Sequence, residues 1–234
     1  MSARYAVYYA PPQDGALWRK ASAWLGRDAY TGERLIRPAL AGLEGMDLDA
    51  LTADPSGYGF HATLKAPFEL AEGVFETELL SFAQDFAADR AAFEARISPQ
   101  ALGAFLAFRL VGPSPEMSAL AADCVRAFDP FRAPLSSFDL ARRRRAPLTP
   151  EQDRRLVQWG YPYVFGDFRF HMTLTRSIHD EALRTRVLHA LTAYLAAETG
   201  AHRFDGLAVF KQSDRAAPFV IIERFGFSRT NVEA

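Results

Sequence analysis

Two short stretches carry the same side-chain chemistry: "GFHATLKAPF" at residues 59–68 and "FRFHMTLTRS" at residues 168–177 share the pattern Phe-His-x-Thr-Leu. Read as strands, they alternate between two faces, so His61, Thr63 and Lys65 share one side while Phe60, Ala62 and Leu64 share the other. The downstream copy divides alike, with Arg169, His171, Thr173 and Thr175 opposite Phe168, Phe170, Met172 and Leu174. An imidazole titrates near neutrality, at roughly pH 6.5, so one copy can take a proton while another gives one. Two imidazoles facing each other across a cleft suit phosphoryl transfer. The Thr63 and Thr173 hydroxyls would then donate to non-bridging phosphate oxygens, where negative charge must be held. Lys65, Arg169 and Thr175 are the candidate substrate-binding side chains, because parity places them on the histidine faces. This arrangement needs no metal and no cofactor. Taken singly, either histidine reads as a polar residue of a half-buried sheet; their recurrence at matched positions points to a shared site.

The surrounding elements repeat in the same order. Arg4–Tyr9 reads as a strand, and Asp14–Leu25 has a helical period closed by Gly26. After the first motif come a helical stretch over 76–90 and two strand-like runs, "AFEARI" and "AFLAFRLV". After the second come a helical stretch over 180–198, then "FDGLAVFKQS" and "PFVIIERFGF". Each half thus reads strand, helix, strand, strand, the signature of two similar lobes. Between them lie a helix over 117–128 and a linker in which Thr149, Pro150 and Gln152 form a capping box opening a helix that Gly160 closes. The reading is a single α+β domain over 1–234, with two pseudo-symmetric lobes, each an antiparallel sheet with helices on its outer face. The active-site cleft lies between the lobes, whose boundary falls near 129–147. Residues 27–55 hold no period and read as an irregular segment.

The 27 basic and 28 acidic residues leave a net charge of −1, so no global field draws the chain to nucleic acid or an anionic membrane. A single cysteine permits neither an internal disulfide nor a paired-cysteine metal site, which suits a reducing cytoplasm. No signal-like or membrane-spanning run is present in the sequence.

The tetrads at His61–Leu64 and His171–Leu174, about half a chain apart, resemble the paired H-x-T/S-x motifs of the 2H phosphoesterase superfamily, which includes 2'-5' RNA ligase-like proteins and cyclic phosphodiesterases. "RYAVYYAPP" is similar to the first strand of that family, and "WLGRDAYTG", "YGFHATLKAPF" and "WGYPYVFGDFRFHMTLT" resemble a bacterial branch associated with phosphonate-degradation genes. The resemblance implies metal-independent cleavage of a cyclic phosphodiester, with His61 and His171 catalytic and Thr63 and Thr173 binding phosphate. It implies a small-molecule phosphodiester, or RNA ends, as partner. "ARRRRAPLTPEQ" and residues 27–55 depart from the RNA-processing members and leave the substrate open.

Other features read more simply. Arg142–Arg145 is a four-arginine run that could hold an anionic substrate or RNA backbone, although balanced charge and the absence of aromatic interleaving favour a solvated surface. "GYGFHA" has glycines that precede a strand rather than join a strand to a helix, so it is no dinucleotide fingerprint. His179, His189 and His202 lack matched partners and read as ordinary helix or surface residues. Trp159, Tyr161 and Tyr163 either wall a pocket or pack at the lobe junction. Cys124 sits in an apolar helical context and should be inert. Three functions remain: a cyclic phosphodiesterase, a nucleotide or sugar-phosphate binder without turnover, and an RNA end-processing or ligating enzyme.

Overall fold

A computed structural model describes residues 3–229. Along the chain run β1 (Arg4–Tyr9), α1 (Ala16–Leu25), α2 (Leu48–Tyr58), β2 (Ala62–Glu69), α3 (Glu76–Ala88), β3 (Phe93–Leu102), β4 (Phe105–Leu110) and α4 (Pro115–Ala127). They continue with α5 (Ser137–Arg143), α6 (Pro150–Trp159), β5 (Met172–Thr173), α7 (Glu181–Tyr194), β6 (Gly200–Phe204), β7 (Gly206–Gln212) and β8 (Val220–Gly226). Among the described residues the strands form one antiparallel sheet in the order β6-β3-β4-β5-β2-β1-β7-β8.

That order has an approximate twofold between β5 and β2. On one side lie β2, β1, β7 and β8, covered by α3; on the other lie β5, β4, β3 and β6, covered by α7. The two motif strands are therefore central neighbours, and the helix that follows each motif packs on that motif's half of the sheet. Each half takes strands from both sides of the 129–147 segment, because β3 and β4 cross to pair with β5 while β7 and β8 return to β1. The result is the mixed α and β, pseudo-symmetric architecture expected from the repeated element order.

The greasy faces read from alternation are the buried ones: Phe60, Ala62, Leu64, Phe170, Met172 and Leu174 all lie in the core. Helix α3 adds Leu79, Ala83 and Phe86, and α7 adds Val187, Ala190 and Leu191. Each larger apolar side chain so buried contributes roughly 1.5–3 kcal/mol. The Thr149–Gln152 capping box forms as read, with Pro150 in the first turn and Gly160 left-handed at the C-cap.

Three segments differ from the sequence expectation. The second motif does not form a long strand; only Met172 and Thr173 pair in the ladder. Residues 27–55 are irregular at first, with an isolated bridge between Arg27 and Arg34, but then enter helix α2, capped by Asp47. Pro55 sits inside that helix and hides it from a periodicity reading, since proline removes an amide donor and usually ends a helix. The carbonyl its missing N–H would have served, that of Leu51, instead accepts the Arg176 N–H at 2.8 Å, just beyond the second motif. Finally, the 129–147 linker carries a 3-10 turn at Asp129–Phe131 and the helix α5. No helix among the described residues is long and apolar enough to cross a membrane.

Candidate active site

Ala62 of β2 pairs with Met172 of β5. Continuing that antiparallel register sets His61 beside Thr173 and Thr63 beside His171, on the face opposite the buried alanine and methionine. The two histidines are then diagonal cross-strand neighbours, a relation that separates side-chain origins by roughly 7–8 Å. Each motif thus supplies the partner threonine of the other motif's imidazole.

Both rings are oriented by one device. His61 Nδ1–H donates to the Gly59 carbonyl at 2.9 Å, and His171 Nδ1–H donates to the Arg169 carbonyl at 2.7 Å. A carbonyl can only accept, so each bond places the proton on Nδ1 and leaves Nε2 as the basic nitrogen. Thr63 Oγ1 lies 3.4 Å from His61 Nε2. Gly59 is required where it stands: its φ is +81°, and a Cβ there would come 2.5 Å from Ala29 Cβ.

Aromatic rings complete the setting. Tyr8, opposite Thr63 on β1, stacks on His61 with ring centroids 3.9 Å apart. Tyr58, at the end of α2, lies 6.0 Å from the His61 ring, and Phe105 meets His171 edge-on at 5.8 Å. Burial depresses the His61 pKa to about 4, with the nearby His171 adding a smaller push in the same direction. His171 is lowered too, chiefly by burial, with the Arg169 carbonyl opposing and the positive charge of Arg109 adding a smaller push downward. Arg109 falls beside His171 when the Ala107–Thr173 register of β4 and β5 is continued.

The four motif side chains border two adjoining hollows. One, of about 440 Å³, is lined by Thr63 and His171 with Arg169, Tyr161 and Tyr163; the other, of about 250 Å³, by His61 and Thr173 with Tyr58. Phe105 borders both. The structure therefore brings His61, Thr63, His171 and Thr173 together, with Arg169 at the rim. Tyr161 and Tyr163 take the pocket-wall reading, while Trp159 packs on Phe165.

Lys65 does not join them, and Thr175, which borders the His61 hollow, has its hydroxyl committed to the backbone. The pairing of β1 with β2 shifts register between Thr63 and Lys65, opposite Tyr8 and Val7, and this bulge breaks the alternation. Lys65 is buried at 2% exposure, its Nζ donating to the Val125 carbonyl at 2.9 Å and to Asp129 Oδ1 at 2.6 Å. Thr175 is buried as well, and its Oγ1 accepts the Leu106 N–H at 3.0 Å. Its hydroxyl replaces a ladder carbonyl where β5 has already ended.

Sequence reasoning missed Tyr8, Tyr58 and Arg109. Tyr8 and Arg109 had a usable signal, since both lie on strands that flank the motif strands, but strand order is needed to see it. Tyr58 was hidden by Pro55. The Arg142–Arg145 run is also not uniformly solvated: Arg143 is half-buried, with its guanidinium 4.9 Å over the Tyr161 ring. His202 lies on β6 and meets the Tyr9 hydroxyl at 2.5 Å. Cys124 is buried and its thiol pKa is pushed far up by burial. Among the described residues no group of three or more His, Cys, Asp or Glu is arranged to hold a metal ion.

A family model described as "Protein of unknown function (DUF1045)" matches residues 63–220. A protein of Janthinobacterium sp. (strain Marseille), named ribose 1,5-bisphosphate phosphokinase PhnN, is 41% identical over 232 residues, covering 96% of this chain and 51% of that protein. A protein of the same name from Laribacter hongkongensis (strain HLHK9) is 34% identical over 216 residues, covering 92% of this chain and 50% of that one. The chain spans about half the length of these curated relatives. Among solved structures, TT0787 of Thermus thermophilus is similar at a TM-score of 0.45 and 15% identity, covering 96% of this chain and 98% of that one. LigT of E. coli complexed with 3'-AMP is similar at 0.45 and 12%, covering 98% and 100%.

Proposed function

The chain belongs to the DUF1045 family, and we propose that it is a phosphoesterase that hydrolyses the cyclic phosphodiester of a ribose by paired-imidazole acid and base catalysis. The observation that carries this reading is the Ala62–Met172 register, which brings two His-x-Thr motifs onto one face with both Nδ1 atoms tied to backbone carbonyls. That pairing of motifs is what the 2H phosphoesterase resemblance implies.

His61, with its pKa near 4, is neutral at pH 7 and suited to accept a proton from water attacking phosphorus. His171, on the facing strand, takes the complementary role and gives a proton to the departing ribose oxygen. One water O–P bond forms, one ring P–O bond breaks, and the product is a phosphate monoester with a regenerated hydroxyl. Anionic phosphate between the rings favours the protonated acid. Thr63 and Thr173 donate to the non-bridging oxygens, and Arg109 and Arg169 offset their charge.

Ribose is supported by the name of the curated relatives, ribose 1,5-bisphosphate phosphokinase, of whose length this chain spans about half. The same name, with the branch resemblance, supports a place in phosphonate metabolism. The test is 31P NMR of ribose cyclic phosphates and 2',3'-cyclic nucleotides incubated with the protein. Ring opening to a monoester is expected, with His61→Ala and His171→Ala each lowering kcat by at least ~10²–10⁴-fold while thermal melting is unchanged. Retained turnover in either variant overturns the mechanism. Binding without ring opening in the wild type leaves a sugar-phosphate binder, and turnover confined to RNA ends makes it an RNA-processing enzyme.

A further inference from the structure

The two motifs are near copies, and the approximate twofold between β2 and β5 also relates the strands that flank them, β1 and β4. Tyr8 of β1 stands opposite Thr63, and Ala107 of β4 stands opposite Thr173. The next pair of positions faces the core and matches: Tyr9 is opposite Ala62 and Phe108 opposite Met172, both buried and aromatic. One residue further, the continued registers bring Ala10 beside His61 and Arg109 beside His171. The halves therefore agree in the core and differ on the motif face, with tyrosine against alanine beside the threonines and alanine against arginine beside the histidines.

That difference reaches the imidazoles. Tyr8 lies face to face with His61, the ring planes 21° from parallel, and Tyr58 and Phe210 add two further ring contacts at 6.0 and 5.8 Å. Tyr8 is itself buried and packed on Phe210 at 4.8 Å and Phe219 at 6.3 Å, so the stack has no room to swing away. His61 is thus held along one edge by the Gly59 carbonyl and over one face by the phenol ring. Among the described residues His171 has a single ring contact, the edge of Phe105, and Ala107 offers it only a methyl group. The titratable groups around His61 are Tyr8 from β1, Tyr58 and Asp54 from α2, His171 from β5 and Arg176 just beyond it. Burial remains the main cause of its lowered pKa, and the Tyr8 ring supplies part of that cover.

Two equivalent imidazoles exchange roles freely, whereas proton flow across the cleft in one direction is served by keeping one neutral and the other acidic. A ring laid flat on an imidazole sheds water from that face and fixes its rotation, which favours the neutral form and keeps Nε2 aimed. A cation beside the other imidazole makes its protonated form the stronger acid. We propose that Tyr8 is a positioning residue for His61 and that, with Arg109 on the opposite flank, it makes His61 the proton acceptor and His171 the donor. This inference rests on the cyclic phosphodiesterase reading above and adds the asymmetry that the repeated motifs lack.

The test is a histidine titration of the full chain by NMR beside the pH dependence of ring opening, for the wild type, Tyr8→Phe, Tyr8→Ala and Arg109→Met, with melting measured alongside. Tyr8→Phe keeps the ring and should match the wild type. Tyr8→Ala should move the His61 titration and the ascending limb of kcat/KM upward by at least about one pH unit, toward the ordinary value of roughly 6.5, and lower kcat by roughly 10–10²-fold with KM little changed. Where Tyr8→Ala melts too low to assay, Tyr8→Leu, which fills much of the space without a planar face, should show the same loss in kcat. Arg109→Met should move the His171 titration upward and leave that of His61 in place. An unmoved His61 titration in Tyr8→Ala, an undiminished kcat in Tyr8→Leu, or the full loss already in Tyr8→Phe overturns the role of Tyr8 alone. A wild type that opens no cyclic phosphate overturns the hydrolase reading and the assigned roles with it.

Discussion

Thr173 and Thr175 lie two residues apart, yet their hydroxyls have different partners. Both border the hollow that contains His61, but Thr175 is 1% exposed and its Oγ1 is taken by the Leu106 amide. Thr173→Val should therefore slow ring opening by roughly 10–10²-fold, the scale of losing one donor to developing charge, and leave stability within about 0.5 kcal/mol. Thr175→Val should do the reverse, orphaning a buried N–H at a cost of about 1–3 kcal/mol. Urea titration beside initial rates checks both, and a Thr173→Val enzyme with full activity would remove that hydroxyl from the site. The histidine and threonine positions were legible in the sequence because period-two alternation holds between His61 and Thr63 and between His171 and Thr173. At the next same-face position it fails at Lys65, while Thr175 keeps its side but has its hydroxyl bound to the Leu106 amide. A bulge redirects Lys65, and β5 has ended before Thr175. Parity is a local rule, and a backbone irregularity resets it without changing a single residue type.

At the scale of elements, the end of α4 and the turn that follows it are both fastened to β2 through the buried Lys65. Lys65 Nζ reaches Asp129 and the Val125 carbonyl, and Asp129 in turn receives Arg132 Nε at 2.9 Å. The Lys65 pKa is lowered, first by burial, with Asp129 opposing. Removing only the anion, as in Asp129→Ala, leaves an uncompensated buried charge and should cost about 3–5 kcal/mol. Lys65→Met, which removes the buried cation, keeps the stem and leaves Asp129 paired with Arg132, should cost less, about 1 kcal/mol. Chemical denaturation of both variants measures the contrast, and equal losses would mean the pair is not what joins the helix to the strand. Capping residues, periodic helices and the repeat order gave these elements away in the sequence. Helix α2 was not legible, because Pro55 interrupts the pattern and its stabilising contact comes from Arg176, more than a hundred residues downstream.

For the molecule as a whole, two histidines that are kept neutral link stability to acidity. His61 and His202 both have pKa values of about 4, each lowered chiefly by burial. The unfolded chain takes up these protons near pH 6.5, so between pH 6.5 and 4 it binds more than the native state. Stability is full above that window and falls as pH drops through it, by on the order of 2 kcal/mol per histidine after allowing for partial exposure. Asp139, held well below the usual carboxylate range first by its hydrogen bond to Arg215, adds its loss only at lower pH. Urea midpoints at pH 7.5 and 4.5 should differ accordingly, and His202→Gln should flatten only part of the slope, since His61 and the likewise lowered His171 remain; identical midpoints would show that the rings are not shielded. One contact also constrains how a ligand gets in. The Leu51 carbonyl, freed by proline and taken by the Arg176 amide, fastens the segment bearing Tyr58 to the segment bearing His171. A flap that swung at α2 would unseat the second imidazole as it opened, so traffic must pass the exposed mouth while the walls stand still.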